Sequence, residues 1–315
     1  MSFCFNFDVP EQTTNPDGVD GNDLHNRKKV NAAKPVSKNI RQPMLKPAKE
    51  HLPLSDLQLA ISDAVTETVT IGILPPLHFL NETVFEKTAS EREDNEKILS
   101  RTAEQRSDLI SGVYEGGLKV WECTYDLLEL IEKDGETFEG KAVLDLGSGA
   151  GLLGILALKR GAGQVHFQDY NSTVIEQLTM PNAILNCQED DEEKELSQQP
   201  LLAKCRFFSG DWSTFLAFVK KEEPELKYDI ILTSETIYNT AYYPVLHETL
   251  HKLLAPDGLI YLATKSHYFG VGGGLHLFET FVEQRGVFSL NHLWDGEQGL
   301  QRHVVALRFK MAKDS

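Results

Sequence analysis

Residues 143–151 read Val-Leu-Asp-Leu-Gly-Ser-Gly-Ala-Gly, an apolar run that passes into three closely spaced glycines. The apolar run predicts a buried strand, and the glycines predict a turn, because glycine adopts positive φ and lets a ligand approach the main chain. A helix is predicted directly afterwards, over residues 151–160. In a second register, residues 149–154 also match the Gly-x-Gly-x-x-Gly pattern of dinucleotide-binding proteins. The stretch therefore predicts a cofactor site but leaves two cofactor classes open.

Asp145 separates these two classes. It lies two residues before the first glycine, at the end of the predicted strand. A carboxylate there would repel the pyrophosphate that dehydrogenases place on a helix N-terminus. S-adenosylmethionine has no phosphate, and its amino acid part and sulfonium are cationic. We therefore predict an S-adenosylmethionine-dependent methyltransferase; the alternatives are a nicotinamide dehydrogenase and an acid that only caps a turn.

From residue 107 onward, predicted strands alternate with predicted helices. This order indicates an α/β fold with a doubly wound, mainly parallel sheet, whose ligands bind at the carboxyl ends of the strands. The last two strands follow each other without a helix, which suggests an antiparallel edge. Pro181 is expected to kink or interrupt the helix that contains it. The predicted strands are 142–147, 164–169, 204–209, 229–234, 259–265, 287–293 and 302–309; the predicted helices are 118–131, 151–160, 172–186, 242–254 and 275–283.

Residues before 107 divide into two regions by composition. Residues 1–55 are predicted to be a mostly disordered arm, although Phe3, Phe5 and Phe7 alternate with polar residues and predict a short strand that could pair with a sheet edge. Residues 56–106 predict an N-terminal extension, and residues 107–315 the methyltransferase domain. Eight lysines and arginines without an acid fall in residues 27–49. We interpret them as a solvated linker, with a nuclear address or an RNA-contacting arm as alternatives.

The formal net charge of −16 constrains the partners of this chain. Nonspecific binding to nucleic acid needs lysine and arginine against phosphate, so direct DNA binding is not expected. The charge favours encounter with a basic partner, and the alternative is that it serves only solubility. No apolar run approaches the roughly 18 residues that span a bilayer, which predicts no membrane partner. The four cysteines lack metal-ligand spacing and a dense disulfide pattern. We therefore expect no metal site and a reducing, intracellular compartment.

The next two predicted strands end in residues that suit an adenosine. Asp169 ends the second strand, twenty-two residues beyond Gly147, where an acid can accept hydrogen bonds from ribose hydroxyls. The third strand ends in Gly210-Asp211-Trp212. The carboxylate of Asp211 could accept a hydrogen bond from the adenine amino group, and the ring of Trp212 could cover the face of the base. In this order, the strand ends predict one adenosine-binding site.

Five longer stretches give a more specific signal than the glycine turn. They read Gly112-Val-Tyr-Glu-Gly-Gly-Leu-Lys-Val-Trp-Glu-Cys-Thr124, Phe167-Gln-Asp-Tyr-Asn171, Cys205-Arg-Phe-Phe-Ser-Gly-Asp-Trp212, Leu232-Thr-Ser-Glu-Thr-Ile-Tyr-Asn239 and His267-Tyr-Phe-Gly-Val-Gly-Gly-Gly274. On these stretches the chain resembles the histidine protein methyltransferase 1 homologues, also called methyltransferase-like protein 18. The resemblance runs from about residue 107 to the last residue and includes the opening Phe-x-Phe-x-Phe.

The resemblance implies a seven-stranded, Rossmann-like class I methyltransferase fold that binds S-adenosyl-L-methionine. It also implies methylation of a histidine at its tele nitrogen, in a basic large-subunit ribosomal protein, the universal one numbered three. Molecular chaperones are further expected partners, and the expected location is the cytoplasm and the nucleus, including the nucleolus. By matching motifs, it implies cofactor contacts at Trp121, Glu122, Cys123, Thr124, Gly147, Gln168, Asp169, Tyr170, Gly210, Asp211, Trp212 and Ser234.

The catalytic residues are predicted just beyond the fourth strand. Glu235 could accept the N–H of a substrate histidine, which leaves the lone pair on the other ring nitrogen. Glu235-x-x-Tyr238 resembles the acidic-x-x-Tyr signature of related protein methyltransferases, so we predict that Glu235 orients the ring and Tyr238 walls the pocket. His267 as a catalytic base is a weaker alternative. The glycines up to Gly274 could form a lid over the substrate, or only a tight turn.

Two other functions stay open at this point. A protein-lysine methyltransferase would use the same fold, and since lysine must first lose its proton, Glu235 would serve there too. A cofactor-binding protein associated with ribosome assembly or with chaperones would need no turnover at all.

Overall fold

The computed structural model describes residues 45–53, 65–81, 95–105, 107–187, 201–296 and 301–311. The strand predicted around Phe3 to Phe7 lies outside the described residues, as does most of the basic stretch. Within the described ranges, no helix has the length and the apolar run that crossing a bilayer requires.

In the part of the chain that the structure describes, ten strands form one large sheet and one hairpin. The large sheet has the order β1-β6-β5-β4-β7-β8-β10-β9, in which β4 to β8 are mutually parallel, β10 is antiparallel to both of its neighbours, and β1 is antiparallel to β6. The predicted doubly wound, seven-stranded sheet with an antiparallel edge is thereby confirmed, and β1 adds a short eighth strand. The strands are β1 Lys49–His51, β2 Thr66–Val69, β3 Leu77–Leu80, β4 Ala142–Leu146, β5 Gln164–Asp169, β6 Cys205–Ser209, β7 Tyr228–Ser234, β8 Leu254–Lys265, β9 Phe288–Asp295 and β10 Arg302–Phe309.

Helices cover both faces of this sheet. Successive strand residues point to opposite faces, so Val143 packs in one apolar layer with α2, α3 and α5, while Leu144 packs in the other with α6, α7 and α8. The β2–β3 hairpin lies on α5, where the side-chain carbonyl of Asn182 accepts from the amide of Leu80 at 2.9 Å. The helices are α1 Ile98–Gln105, α2 Glu122–Asp134, α3 Leu152–Lys159, α4 Ser172–Val174, α5 Met180–Cys187, α6 Trp212–Glu222, α7 Tyr243–Leu253 and α8 Leu275–Arg285.

Two local features refine the sequence prediction. The α-helix that contains Pro181 is interrupted as predicted, by a π-helical turn over Ile175–Thr179 that joins α4 to α5 just before the proline. Proline has no N–H to donate to the carbonyl four residues earlier, and a wider turn accommodates that missing bond. The sequence analysis also missed α6, which begins where the side chain of Asp211 caps the amide of Ser213.

Candidate active site

A cavity of about 280 Å³ opens at the carboxyl ends of β4, β5, β6 and β7. It brings together most of the residues that the sequence predicted, from segments separated by up to 117 positions (121 to 238). Glu122, Cys123 and Gln168 do not line it. The predicted residues in its wall are Trp121, Thr124, Gly147, Asp169, Tyr170, Gly210, Asp211, Trp212, Ser234, Glu235 and Tyr238.

The glycine turn after β4 forms the floor of this cavity. Gly147 has φ +71°, and a Cβ there would lie 2.6 Å from the side-chain methyl of Thr236, so only glycine fits. Asp145 does not face outward as a free charge. Its Oδ2 accepts from the amide of Gly154 at 2.9 Å, and burial raises its pKa to about 8. Asp145 therefore disfavours a pyrophosphate chiefly because it already accepts the hydrogen bond of an amide in the first turn of α3. The prediction that its negative charge repels the pyrophosphate is corrected to this extent.

Asp169, at the end of β5, joins two loops. Its Oδ2 accepts from the amide of Gly149 at 3.0 Å and its Oδ1 from the amide of Asn171 at 3.1 Å. The side chain is 5% exposed, and burial raises its pKa to about 6. Each carboxylate oxygen can accept more than one hydrogen bond. Asp169 therefore holds the glycine turn in place and still has acceptor capacity for a ligand hydroxyl.

Gln168 orients the aromatic wall of the cavity from behind. It is fully buried, and its Oε1 accepts from the indole N–H of Trp212 at 3.0 Å. Its amide group donates to the carbonyls of Asp169 and Gly210, each at 2.9 Å. All of its polar atoms are thus used within the protein, and Gln168 positions Trp212 instead of facing a ligand.

The segment before β1 forms a wall that the sequence analysis did not foresee. The carbonyl of Lys46 accepts from the amide of Asp211 at 3.1 Å and from the hydroxyl of Thr214 at 2.6 Å. A Cβ on Gly210 would lie 2.7 Å from the Cα of Ala48. Lys46 itself lines the cavity. No local pattern could have indicated this contact, because more than 160 residues separate its two sides.

A second, smaller cavity of about 60 Å³ adjoins the first. It shares five wall residues with the first cavity, namely Glu115, Gly116, Trp121, Glu235 and Tyr238. Its other wall residues are Leu109, Lys265, His267, Tyr268 and Phe269. The second cavity is therefore a mainly aromatic pocket that meets the first at Glu235.

Glu235 has an unusual main-chain conformation at this junction. It is 9% exposed and has φ +60°, a region that residues other than glycine rarely adopt. Its amide donates to the carbonyl of Ala263 at 2.9 Å, which keeps it tied to β8. Strain of this kind persists only where the surroundings enforce it, and it clusters at functional sites.

Tyr238 is held by a carboxylate and by the glycine loop. Its hydroxyl donates to Glu115, and burial together with the charge of Glu115 raises its pKa well above the usual value. Its carbonyl accepts from the amide of Gly273 at 2.8 Å, and a Cβ on Gly273 would overlap the main chain of Tyr238. The glycine at position 273 thus lets the protein's own main chain approach Tyr238. Glu115 was missed by the sequence analysis, although it lies inside the first of the quoted stretches.

Lys265, the last residue of β8, is a further residue that the sequence analysis missed, after Lys46 and Glu115. Its Nζ lies 3.1 Å from Glu122 Oε2 and 3.3 Å from Glu235 Oε1, and it is 4% exposed. Cys123 is fully buried beside this cluster, and burial followed by the charge of Glu235 raises its pKa. Glu122 and Cys123 therefore lie next to the second cavity instead of in the wall of the first.

The first cavity fits S-adenosylmethionine. Ser148 Oγ is buried there without a hydrogen-bond partner in the described part of the chain, so the glycine turn has an unused hydroxyl. Asp169 forms no salt bridge with the described residues and uses one amide on each oxygen, so its carboxylate can still accept from a ligand hydroxyl. Asp169, Asp211 and Trp212 remain the residues that would hold the adenosine. The bound cofactor supplies an electrophilic methyl group on a cationic sulfur.

A doubly wound sheet with this cavity at its strand ends defines the class of S-adenosylmethionine-dependent methyltransferases. The family described as lysine methyltransferase matches residues 111–270. The chain is 47% identical to the histidine protein methyltransferase 1 homolog of Bos taurus, over 89% of this chain and 78% of that one. It is 38% identical to the homolog of Dictyostelium discoideum, over 69% of this chain and 64% of that one. The chain belongs to the family of histidine protein methyltransferase 1 homologues, as the resemblance predicted.

Among solved structures, the chain is similar to a TehB-like S-adenosylmethionine-dependent methyltransferase from Corynebacterium glutamicum. The TM-score is 0.40 at 18% identity, over 72% of this chain and 100% of that one.

Proposed function

We propose that this methyltransferase modifies the tele nitrogen of a histidine in a basic protein of the large ribosomal subunit. The observation that carries the proposal is the second cavity, an aromatic pocket for a flat ring with the carboxylate of Glu235 at its junction with the cofactor cavity. The relatives that share most of the chain's length are named histidine protein methyltransferases, which supports a histidine acceptor.

The chemistry of the acceptor fits this pocket. A histidine side chain has a reference pKa near 6.5 and is largely neutral at pH 7, so no strong base is needed before attack. In the proposed arrangement, Glu235 accepts the N–H of the pros nitrogen, and the lone pair stays on the tele nitrogen. A new N–C bond forms there as the methyl–sulfur bond breaks, and the pros proton then leaves toward Glu235 or water. Tyr238 confines the ring, and alignment of this kind can contribute about 7–11 kcal/mol.

The charge of the chain supports a basic partner. A net charge of −16 favours encounter with a lysine- and arginine-rich protein, as ribosomal proteins are. With that substrate, we propose activity in the cytoplasm and the nucleus, including the nucleolus, and association with molecular chaperones that accompany the unassembled ribosomal protein. Fractionation of cells, followed by detection of the chain in each fraction, checks the location.

The central experiment identifies the acceptor. The purified chain is incubated with labelled S-adenosylmethionine and ribosomal proteins from cells that lack the enzyme, and the labelled protein is hydrolysed. Recovery of tele-methylhistidine from one large-subunit protein is the expected result. Recovery of methyllysine would contradict the proposal and favour the activity named in the description of the matching family. Absence of transfer, despite cofactor binding, would favour a non-catalytic role.

Glu235→Gln tests the orienting residue. The amide of glutamine accepts the pros N–H more weakly than a carboxylate and has no negative charge to stabilise the ring as it becomes cationic, so kcat should fall on the order of 10²-fold while the affinity for cofactor stays within about twofold. Glu279→Gln on α8 is a matched control, because Glu279 pairs with His292 at 2.6 Å and lines neither cavity. A Glu235→Gln enzyme that binds cofactor normally and works at the full rate would end the assignment of Glu235.

A further inference from the structure

Lys265 is a buried cation in the wall of the second cavity. Its Nζ lies between Glu122 Oε2 at 3.1 Å and Glu235 Oε1 at 3.3 Å, and 5.1 Å above the ring of Trp121. A lysine this deeply buried is stable only with partners of opposite charge. Glu122 and Glu235 supply that charge, from α2 and from the end of β7.

This arrangement changes what Glu235 can do for an acceptor. The carboxylate at the junction of the two cavities already has an ammonium group next to it. A substrate ammonium would have to share Glu235 with Lys265, with two like charges within a few ångströms of each other, and like charges disfavour each other's charged forms. A neutral ring brings no such repulsion. Its N–H can use the acceptor capacity that Lys265 leaves on Glu235.

We propose that Lys265 positions Glu235 for the methyl acceptor and excludes a protonated lysine from the second cavity, which is then the acceptor pocket. This rests on the proposed histidine acceptor. By pairing with Glu235, Lys265 holds the carboxylate toward the substrate despite its strained main chain. By its own charge, Lys265 makes the pocket selective for a neutral nucleophile.

Lys265 also links α2 to the sheet through its ion pair with Glu122. If that link were its only role, loss of another ion pair between α2 and the sheet should lower the activity equally. Arg302 on β10 makes a comparable tie, since its Nε lies 2.6 Å from Asp126 Oδ2 on α2. Arg302 is the residue paired with Lys265 across the β8–β10 ladder, and it lines neither cavity. Arg302→Met is therefore a matched control for a lost ion pair between α2 and the sheet.

The experiment compares Lys265→Met, Lys265→Arg, Arg302→Met, Glu235→Gln and the double variant Lys265→Met/Glu235→Gln in the full chain. Each is assayed with a peptide that carries the target histidine. Lys265→Met should lower kcat roughly 10- to 100-fold, the size of effect that a small misplacement produces, with cofactor affinity nearly unchanged. Lys265→Arg should restore part of the rate, and Arg302→Met should keep kcat within about threefold of wild type.

The double variant separates action through Glu235 from general damage. If Lys265 acts through Glu235, adding Lys265→Met to Glu235→Gln should lower kcat by less than about threefold more. The positioning role would be overturned if the kcat losses of the two single variants multiplied in the double variant. It would also be overturned if Arg302→Met lowered kcat as much as Lys265→Met does. If Lys265→Met does not fold, as judged by its thermal midpoint, Lys265→Gln takes its place in the same cycle.

A second peptide, with lysine in place of the target histidine, tests the selectivity. The ratio of kcat/KM for histidine over lysine should fall at least about tenfold in Lys265→Met and stay high in Lys265→Arg, because arginine keeps the charge. An unchanged ratio would overturn the selectivity role. If the wild-type enzyme prefers the lysine peptide, the proposed histidine function fails and the selectivity role fails with it. The variant cycle on the lysine peptide would still decide whether Lys265 positions Glu235.

Discussion

The first cavity (the cofactor half of the cleft) and the second cavity (the acceptor half) differ in how their buried carboxylates are stabilised. In the cofactor half, Asp145 and Asp169 are held by main-chain amides, and burial raises their pKa values to about 8 and about 6. In the acceptor half, Glu122 and Glu235 share the buried ammonium of Lys265. Burial alone would raise the pKa of Glu122, but its hydrogen bonds and the charges of Lys265 and Arg302 together lower it. The buried carboxylates of the cofactor half thus have main-chain amides as partners among the described residues, whereas those of the acceptor half have a buried ammonium group.

The main chain differs between the halves as well. The positive φ angles in the turn after β4 belong to glycines, for which such angles cost little. In the acceptor half, Glu235 has a positive φ although it is not a glycine. A non-glycine residue in this region costs about 1–3 kcal/mol, so the neighbouring strand and loops must hold it there. The acceptor half should therefore be the more sensitive of the two to changes in its support.

The largest effect on the cofactor half is expected from Asp169→Ala. The variant leaves the amides of Gly149 and Asn171 without their acceptor and removes the predicted ribose contact. Each lost bond to a charged group is worth about 1.5–3 kcal/mol, so cofactor affinity should fall at least about 100-fold in titration calorimetry. Asp229→Ala is the control: Asp229 also accepts a main-chain amide, that of Ala142 at 2.9 Å, but at the opposite end of the sheet. Equal affinities for the two variants would contradict the assignment of Asp169.

The next largest effect is expected from Gly273→Ala in the acceptor half. A Cβ at this position overlaps the main chain of Tyr238, so Tyr238 must move, and kcat should fall roughly 10- to 100-fold. Cofactor affinity should stay close to that of wild type. Gly272→Ala is the matched control, because a Cβ there has open space although φ is +80°. The interpretation is wrong if the two variants lose the same amount of activity.

Asp145→Asn should reveal the burial of this carboxyl group as a pH dependence of stability. The folded-state pKa of Asp145, about 8, lies above the unfolded value near 3.8. The native carboxyl therefore keeps its proton as the pH rises from 4, and the free energy of unfolding falls until the pH passes 8. Asparagine has no proton to lose and can still accept from Gly154. The variant should gain stability over wild type between pH 5 and pH 8, on the order of 1–3 kcal/mol.

Urea unfolding of the cofactor-free chain at several pH values measures that difference. A stability difference that is the same at pH 5 and pH 8 would mean that Asp145 does not titrate in this range.

The smallest effect is expected from Thr214→Val at the wall formed by the N-terminal segment. The hydroxyl bond to the carbonyl of Lys46 is worth about 0.5–1.5 kcal/mol, so cofactor affinity should weaken about two- to tenfold. Thr280→Val on α8 loses a comparable bond, to the carbonyl of His276 at 3.0 Å, away from the cleft. If Thr214→Val binds cofactor as tightly as Thr280→Val does, the segment around Lys46 makes no contribution to the cofactor site.

The features that sequence analysis predicted are local ones. The turn after β4, Asp169 at the end of β5 and Asp211-Trp212 after β6 each follow an apolar strand, and the parallel topology then brings the strand ends together. The analysis was wrong about α6 because it read Asp211 only as a ligand contact, whereas the residue also caps a helix. It was incomplete about Glu122, Cys123 and Gln168, because a motif match does not tell whether a side chain faces the cavity or supports its wall.

The sequence by itself determined the parallel α/β arrangement of residues 107–315, the glycine turn and the class of cofactor, because these depend on residues close together in the chain. The tertiary structure decided that Lys46 closes the cofactor cavity and that Lys265 joins Glu122 and Glu235 in the acceptor pocket. These contacts link β8 to α2 and the N-terminal segment to the end of β6. Charge pairing and close approach between distant segments depend on distances in space, which no local pattern records.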